Sequence, residues 1–428
     1  MDDFIIANAA TRSGRTVDIE IRDGIIEAVY QAGSADFASF DENDRYDADG
    51  RLVTPTLVEP HTHIDIGLSA GNPRWSQTGT LEEGWRLWDE RKSEITIEGT
   101  KRRAKKIVTW FVANGITKIR THVDTSAPDN VLVEALLELR EELSDVVDLQ
   151  LVAALTGSPV TNEDQLRRLN EALERGLDLV GGMPHKENTR EDGVEHIKIV
   201  VDLARKYNKG LDLHIDETDD PHSRYTGVLA DQALQHGIGE DVTASHTTAL
   251  HSYPNAYADK LIHMLAESGV SVITNPLANA ALQGRYDDYP RRRGHTRIDE
   301  LRDAGVTVGV GQDDVMDNTY HYGNGDPLGA LYVLMHFAHM DDHASLSALW
   351  EMLLDGNAEI FGVDNYGLKE GAEGSLTVFD SPDTFNALRT QSPRTLVLKN
   401  GRIVAHTAKE SAVNFGQTDQ QVEFNHVP

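Results

Sequence analysis

The chain contains no cysteine. Disulfides, thiolate metal sites and cysteine nucleophiles are thereby excluded. So are the small zinc deaminases, which hold their metal with a Pro-Cys-x-x-Cys pair. No apolar run approaches the roughly 20 residues of a membrane span. Met1-Asp2-Asp3 and the short apolar stretch behind it do not read as a signal peptide. Basic residues are scarce: 40 Lys and Arg against 70 Asp and Glu give a formal net charge of −30. Such a balance disfavours nucleic acid or an anionic membrane as partner. It suits a protein kept soluble in a salt-rich cytoplasm, and a cytoplasmic location is expected. The acids are spread over segments such as residues 131–145, as on solvated helix faces.

The 428 residues, 39% of them hydrophobic, are enough for one large domain with a satellite. Both ends of the chain read as short strands joined by turns. Near the start these are residues 4–9, 17–21 and 25–29; near the end, 375–380, 395–399 and 402–405, with Asn400-Gly401 as a turn. Two β segments bracketing a long middle predict one small β-sandwich built from both termini. The middle alternates strand and helix. Counting the largely apolar run from Leu52 to Leu57 that leads to His61 and His63, eight strands each feed a helix, the arithmetic of a (β/α)8 barrel. A doubly wound open sheet is the second reading, disfavoured because no Gly-rich phosphate loop follows the first strand. The expected divisions are residues 1–56 and 371–428 for the β domain and 57–370 for the barrel.

The first barrel strand ends in Val58-Glu59-Pro60-His61-Thr62-His63-Ile64-Asp65. Residues two apart on a strand share a face, so His61 and His63 project together, about 6–7 Å apart along the chain. Two neutral imidazoles so placed can converge on one divalent ion. Alone, His-x-His is a common accident. Other predicted strands carry polar residues to their carboxyl ends as well: His122 and Asp124; His214, Asp216 and Glu217; His246; and the Asp313-Asp314 pair. Carboxyl ends of barrel strands share one mouth, and chance does not readily place four such strands there.

These blocks, together with Asn114-Gly115-Ile116, Thr243-Ala244-Ser245-His246-Thr247-Thr248, Asn275-Pro276-Leu277 and Leu282-Gln283-Gly284-Arg285, resemble the amidohydrolase superfamily and, within it, bacterial-type cytosine deaminases. The resemblance runs over nearly the whole chain. It implies a metal-dependent deaminase of a small amino-substituted heterocycle, cytosine first. One divalent ion, zinc or ferrous iron, would be held by His61, His63, His214 and Asp313. A single ion is implied because strand four ends Gly181-Gly182-Met183-Pro184-His185, where binuclear members place a lysine. Glu217 would shuttle a proton to a ring nitrogen, and His246 and Asp313 would orient the attacking water and take its proton. Asp314 would contact the amine or help orient the substrate. The family's oligomeric habit implies a homo-oligomer, to which residues 407–428 would lend an arm.

Two substrate-facing positions depart from the pattern. Where bacterial cytosine deaminases carry a glutamine after strand three, this chain has Thr156. Where they carry a tryptophan after the Asp-Asp pair, it has Thr319, and Gln312 replaces a histidine before that pair. Buried readers of hydrogen-bonding groups dominate specificity, so the ring is less determined than the chemistry. Alkylamino-triazine, pterin, isocytosine and cyclic-amide substrates stay open, as does a barrel kept only as a binding protein. Trp75, Trp85, Trp88, Tyr320 and Tyr322 are candidate stacking faces, and residues 291–293, three arginines, are expected to anchor a loop.

Overall fold

A computed structural model describes residues 3–408, together with the strands Ala412–Asn414 and Asp419–Gln421. Its centre is an eight-stranded parallel sheet. Of the five strands that precede it in the chain, the first four are β1 (Phe4–Ala10), β2 (Thr16–Arg22), β3 (Ile25–Gln31) and β4 (Arg45–Asp47). They form one small sheet in the order β3-β2-β1-β4. The expected single apolar strand into the site is instead two. β5 (Val53–Pro55) pairs antiparallel with a strand from the other end of the chain, and β6 (Leu57–Thr62) opens the barrel. The break falls at Thr56, whose N–H bonds to Ser375 O and whose carbonyl accepts from the Tyr366 hydroxyl.

β7 (Ile116–Asp124), β8 (Asp148–Ala154), β9 (Leu179–Val180), β10 (Gly210–Ile215), β11 (Val242–His246), β12 (Ser271–Thr274) and β13 (Val308–Val310) continue the barrel in chain order. Between β13 and β6 the wall closes through side chains. Asn357 donates to the carbonyls of Val58 and Val310, and the buried Glu59 carboxyl accepts from the backbone N–H of His61 and Gln312. Burial pushes that carboxyl up to about 8. Asp313 N–H then bonds to His61 O at 2.9 Å, so the last strand delivers its acid beside the first strand's histidine.

The strands are buried on both faces, as parallel sheets are, yet alternation still shows. Along β7, Ile119 and Val123 join the large apolar core with the surrounding helices. The intervening Lys118, Arg120, His122 and Asp124 form a polar column up the barrel interior. After β13 the chain returns to the small domain as β14 (Leu376–Phe379), β15 (Arg394–Lys399) and β16 (Arg402–His406), a sheet ordered β16-β15-β14-β5. Ile6, Ile19 and Ile21 from one sheet and Val53, Leu376, Val378, Leu396 and Leu398 from the other share a separate core. The sandwich of both termini is therefore real. Of the tail expected to form an oligomeric arm, residues 409–411, 415–418 and 422–428 lie outside the described residues.

Helix α1 (Leu81–Arg91) stands between β6 and β7 in sequence and closes over the mouth. Thr80 caps its N-terminus, and Glu83 accepts from the hydroxyls of Ser76 and Thr78 and from the N–H of Gln77 and Thr78, folding the preceding segment back onto the first turn. Leu81, Gly84, Trp85 and Trp88, at helical spacing, all line the pocket below. Gly84 is required there: a Cβ would meet Thr319 Cγ2 at 2.6 Å and Asn318 O at 2.9 Å.

Candidate active site

The carboxyl ends of β6, β10 and β11 and the turn after β13 meet in one pocket, lined by His63, His214, Glu217, His246, Asp313 and Asp314. His61 lies beneath, fully buried. Its Nε2 is 3.5 Å from Asp313 Oδ1, His63 Nε2 is 3.4 Å from the same oxygen, and His63 Nε2 faces His214 Nε2 at 3.0 Å. The His61 and His63 rings, separated by 5.5 Å, do share a side as expected from their spacing.

Two groups with ligand atoms within 4.8 Å share Asp313: His61, His214 and His246 in one, His63 and Asp314 in the other. His246, expected to orient water rather than hold metal, thus stands as close to the cluster as the ligands. Strand alternation alone would set it on the side opposite Ser245. A left-handed φ of 72° at the strand end re-aims it, and Asp313 likewise turns at φ 66°.

The donor set suits a divalent cation. Three imidazoles and a carboxylate are one borderline-soft set for zinc or ferrous iron, and buried His61 Nε2 has no hydrogen-bond partner among the described residues. Facing atoms 3.0–3.5 Å apart bracket the edge, about 3.4 Å, of a tetrahedron drawn around an ion with 2.0–2.1 Å bonds. Burial, reinforced by neighbouring His122 and His61, holds His214 well below the ordinary histidine range, which favours the neutral form that a metal ligand requires. Burial would raise Asp313, but His246, His61 and His63 outweigh it and keep the carboxylate ionised.

Behind the cluster runs a chain of supports the sequence did not mark. His61 Nδ1 meets Ser245 Oγ at 2.9 Å, and that hydroxyl donates to Asp212 Oδ1 at 2.6 Å. Asp212 Oδ2 accepts from Arg120 at 3.1 Å, and Arg120 also reaches Gln150 and Thr243. Hydrogen-bonded partners of this kind orient a ligating imidazole and raise its basicity. His122 belongs to this layer, with Nε2 3.1 Å from His61 Nδ1. Asp216 is spent on structure, accepting from Ser223, Tyr225, Thr226 and Tyr253 at the start of the helix Tyr225–His236. Such roles depend on contacts between distant strands, which spacing does not report.

Glu217 lies over the cluster, 3.8 Å from His246 Nδ1. Burial, then the nearby Asp313 charge, pushes its carboxyl well above the usual range. Asp314 is raised for the same two reasons, with Asp317 adding to them. Such displaced acids in a cleft mark functional sites.

A protein-family model of amidohydrolases matches residues 108–405. The chain belongs to the amidohydrolase family. As an amidohydrolase it is a hydrolytic enzyme of C–N bonds, with a divalent-metal site in the cluster. The structure is similar to 5-methylcytosine deaminase from Klebsiella pneumoniae liganded with 5-fluorocytosine: TM-score 0.92, 37% identity, 96% of this chain and 99% of that one covered. A pterin deaminase of Rhizobium rhizogenes is 28% identical over 394 residues, 90% of this chain and 87% of that one. An N-isopropylammelide isopropyl amidohydrolase of a Pseudomonas species is 28% identical over 372 residues, 84% and 88%. The expected resemblance to cytosine deaminases therefore stands, among relatives that work on several aminated heterocycles.

The two departing positions line this amidohydrolase's pocket, but both hydroxyls are committed elsewhere. Thr156 donates to Asp124 Oδ1 at 3.1 Å and contacts Ser126; Thr319 donates to Asp317 Oδ1. Of the candidate stacking faces, Trp85 and Trp88 line the pocket, whereas Trp75 and Tyr322 are exposed. Lys186 takes no place in the cluster: its ammonium donates to Thr156 O and lies 3.7 Å over the Trp85 ring. In the arginine run, Arg292 ties to Asp287 and Ser252 and does anchor its loop.

Proposed function

We propose that this amidohydrolase deaminates a cytosine-type ring, cytosine or a ring bearing a methyl-sized substituent, releasing ammonia and a uracil-type product. The observation that carries the reading is a single pocket that sets His63, His214 and Asp313 above the buried His61, beside a buried Glu217 whose carboxyl is held well above its usual range and an apolar wall from α1. The similarity to the Klebsiella 5-methylcytosine deaminase supports the substituent. So does Thr319: with its hydroxyl turned to Asp317, a methyl and Gly84 stand where a tryptophan would fill space.

His61, His63, His214 and Asp313 are the proposed holders of one divalent ion, zinc or ferrous iron. Such an ion lowers the pKa of water towards ~7 and makes a strong nucleophile available at neutral pH. Glu217, uncharged before reaction, donates its proton to a ring nitrogen as oxygen adds to the amine-bearing carbon. His246, kept neutral by burial and fixed by the Asn279 side chain at 3.0 Å, takes the proton released by the attacking water. Returned to the exocyclic nitrogen, that proton makes ammonia the leaving group as the bond between the ring carbon and the exocyclic nitrogen breaks, and the remaining hydroxyl proton of the added water passes to Glu217 as the carbonyl forms. Asp314 orients the amine. Trp85 and Trp88 flank the ring.

Ammonia release from zinc- or iron-loaded protein is the test, with cytosine, 5-methylcytosine, a pterin and an alkylamino-triazine offered in parallel. Ammonia from the cytosines, and a kcat lowered about 10²–10⁴-fold in Glu217→Gln at unchanged metal content, is the expected result. Turnover of the pterin or triazine alone would sink the reading.

A further inference from the structure

The pocket lacks the amide that bacterial cytosine deaminases use to read the ring, because position 156 is a threonine already bound to Asp124. Another carboxamide-bearing residue borders the same space. Asn318 is 3% exposed and lines the pocket, and neither its Oδ1 nor its Nδ2 has a partner among the described residues. The Ser69 hydroxyl, on a residue 1% exposed, lines the pocket too and is equally unpartnered. Buried polar groups are rarely left so, since each has given up water without replacement.

The backbone under both residues is firmly held. Leu68 N–H bonds to Val315 O at 3.0 Å and Ala70 N–H to Met316 O at 2.9 Å, lacing the Ser69 segment to the turn before Asn318. Asp317 locks that turn by accepting from Thr319 N–H at 2.8 Å and Tyr320 N–H at 3.0 Å. The helix-facing side is closed by Gly84, whose hypothetical Cβ would touch Asn318 O. The backbone that carries Asn318 is thus fixed at the pocket wall, and its carboxamide keeps a donor and an acceptor without partners among the described residues.

We infer that Asn318 determines specificity by pairing its carboxamide with the cyclic-amide edge of the substrate, an adjacent ring C=O and N–H, with Ser69 as a further polar contact. The side-chain N–H donates to the ring carbonyl and the side-chain carbonyl accepts from the ring N–H, the pairing that planar amides make. The inference rests on the deaminase reading for its substrate class. It moves the amide reader from the loop after β8 to the turn after β13.

Binding of thymine, which carries cyclic-amide edges, and of 4-amino-5-methylpyrimidine, which has none, is measured on the metal-loaded protein by tryptophan fluorescence. Asn318→Leu is expected to weaken thymine about 10–100-fold and the control ring by no more than about twofold. Asn318→Asp, close in size but without the donor, weakens thymine as well, and melting curves confirm that both variants fold. Equal weakening of both rings, no weakening of thymine, or a parent that holds the control as tightly as thymine would each overturn the assignment. Asn318-dependent thymine binding without ammonia release from any cytosine would leave the reader in place and remove only the deaminase.

Discussion

The two ends of the barrel interior treat their polar residues in opposite ways, and one strand shows both. At the lower end of β7, Lys118 bonds to Asp148 and Glu373, and Asp148 also takes Lys399 from the small domain. Thr117 and Thr56 hydroxyls pair at 2.7 Å beside them. Every charge there has an opposite neighbour, and the result joins the sandwich to the barrel. Halfway up, Arg120 crosses the interior to Asp212. At the upper end the rule is reversed: imidazoles face imidazoles, two adjacent acids are buried together, and His61 Nε2 and Asn318 go unpaired. Unmet polar groups are costly inside a protein. On the proposed function and the inferred amide reader, ion and substrate complete them at the mouth, while the satisfied lower end ties sandwich to barrel.

The largest test of that contrast is Asp313→Asn. Loss of the shared carboxylate should strip bound metal to near zero and lower kcat/KM by about 10⁴-fold or more, with the thermal melt of the metal-free protein little changed. Elemental analysis and calorimetry read the two arms; a large drop in melting temperature would show the mouth to be a stabilising element after all. Next comes Asp212→Asn, which sits between the ends. It should weaken metal affinity about 10–100-fold through Ser245 and His61, measured by competition with a chelator, and an unchanged affinity would disconnect the middle layer from the site.

The smallest effect belongs to the lower end. Burial raises the Asp148 carboxyl, but Lys118 and Lys399 outweigh it and hold it below its ordinary value of 3.8. A depressed acid stabilises the fold above that ordinary value and loses its contribution as pH falls through the folded-state value. Asp148→Asn should therefore cost at most about 1 kcal/mol at pH 7, because the side chain is 44% exposed and solvent screens it. The gap to the parent should narrow as pH falls below about 4, with kcat unaffected. A gap constant with pH in denaturant melts would remove the charge from the explanation.

Legibility in the sequence followed distance along the chain. His61-Thr62-His63 and Asp313-Asp314 stand next to each other, and alternation along a strand was enough to aim them. The eight strand-helix repeats made the barrel countable, and barrel topology then placed His214, Glu217 and His246 at the same rim. Asp216 and His122 looked equally eligible, since nothing local separates a residue at the mouth from one bound beneath it. Only the fold showed that Asp216 serves a helix start and His122 supports His61. Thr156 and Thr319, expected to face substrate, line the pocket, and their hydroxyls are used by Asp124 and Asp317.

By itself, then, the order of residues determined the barrel, the split β domain and the histidine and carboxylate types that a divalent ion requires. These depend on periodicity and residue chemistry, which are properties of the chain read locally. The tertiary structure alone decided that the first apolar run is shared between two sheets, that His246 turns inward at a left-handed φ, and that Ser69 and Asn318 find no partner among the described residues beneath α1. Each depends on where segments hundreds of residues apart come to rest, and hydrogen-bond satisfaction is a property of that arrangement and of no shorter stretch.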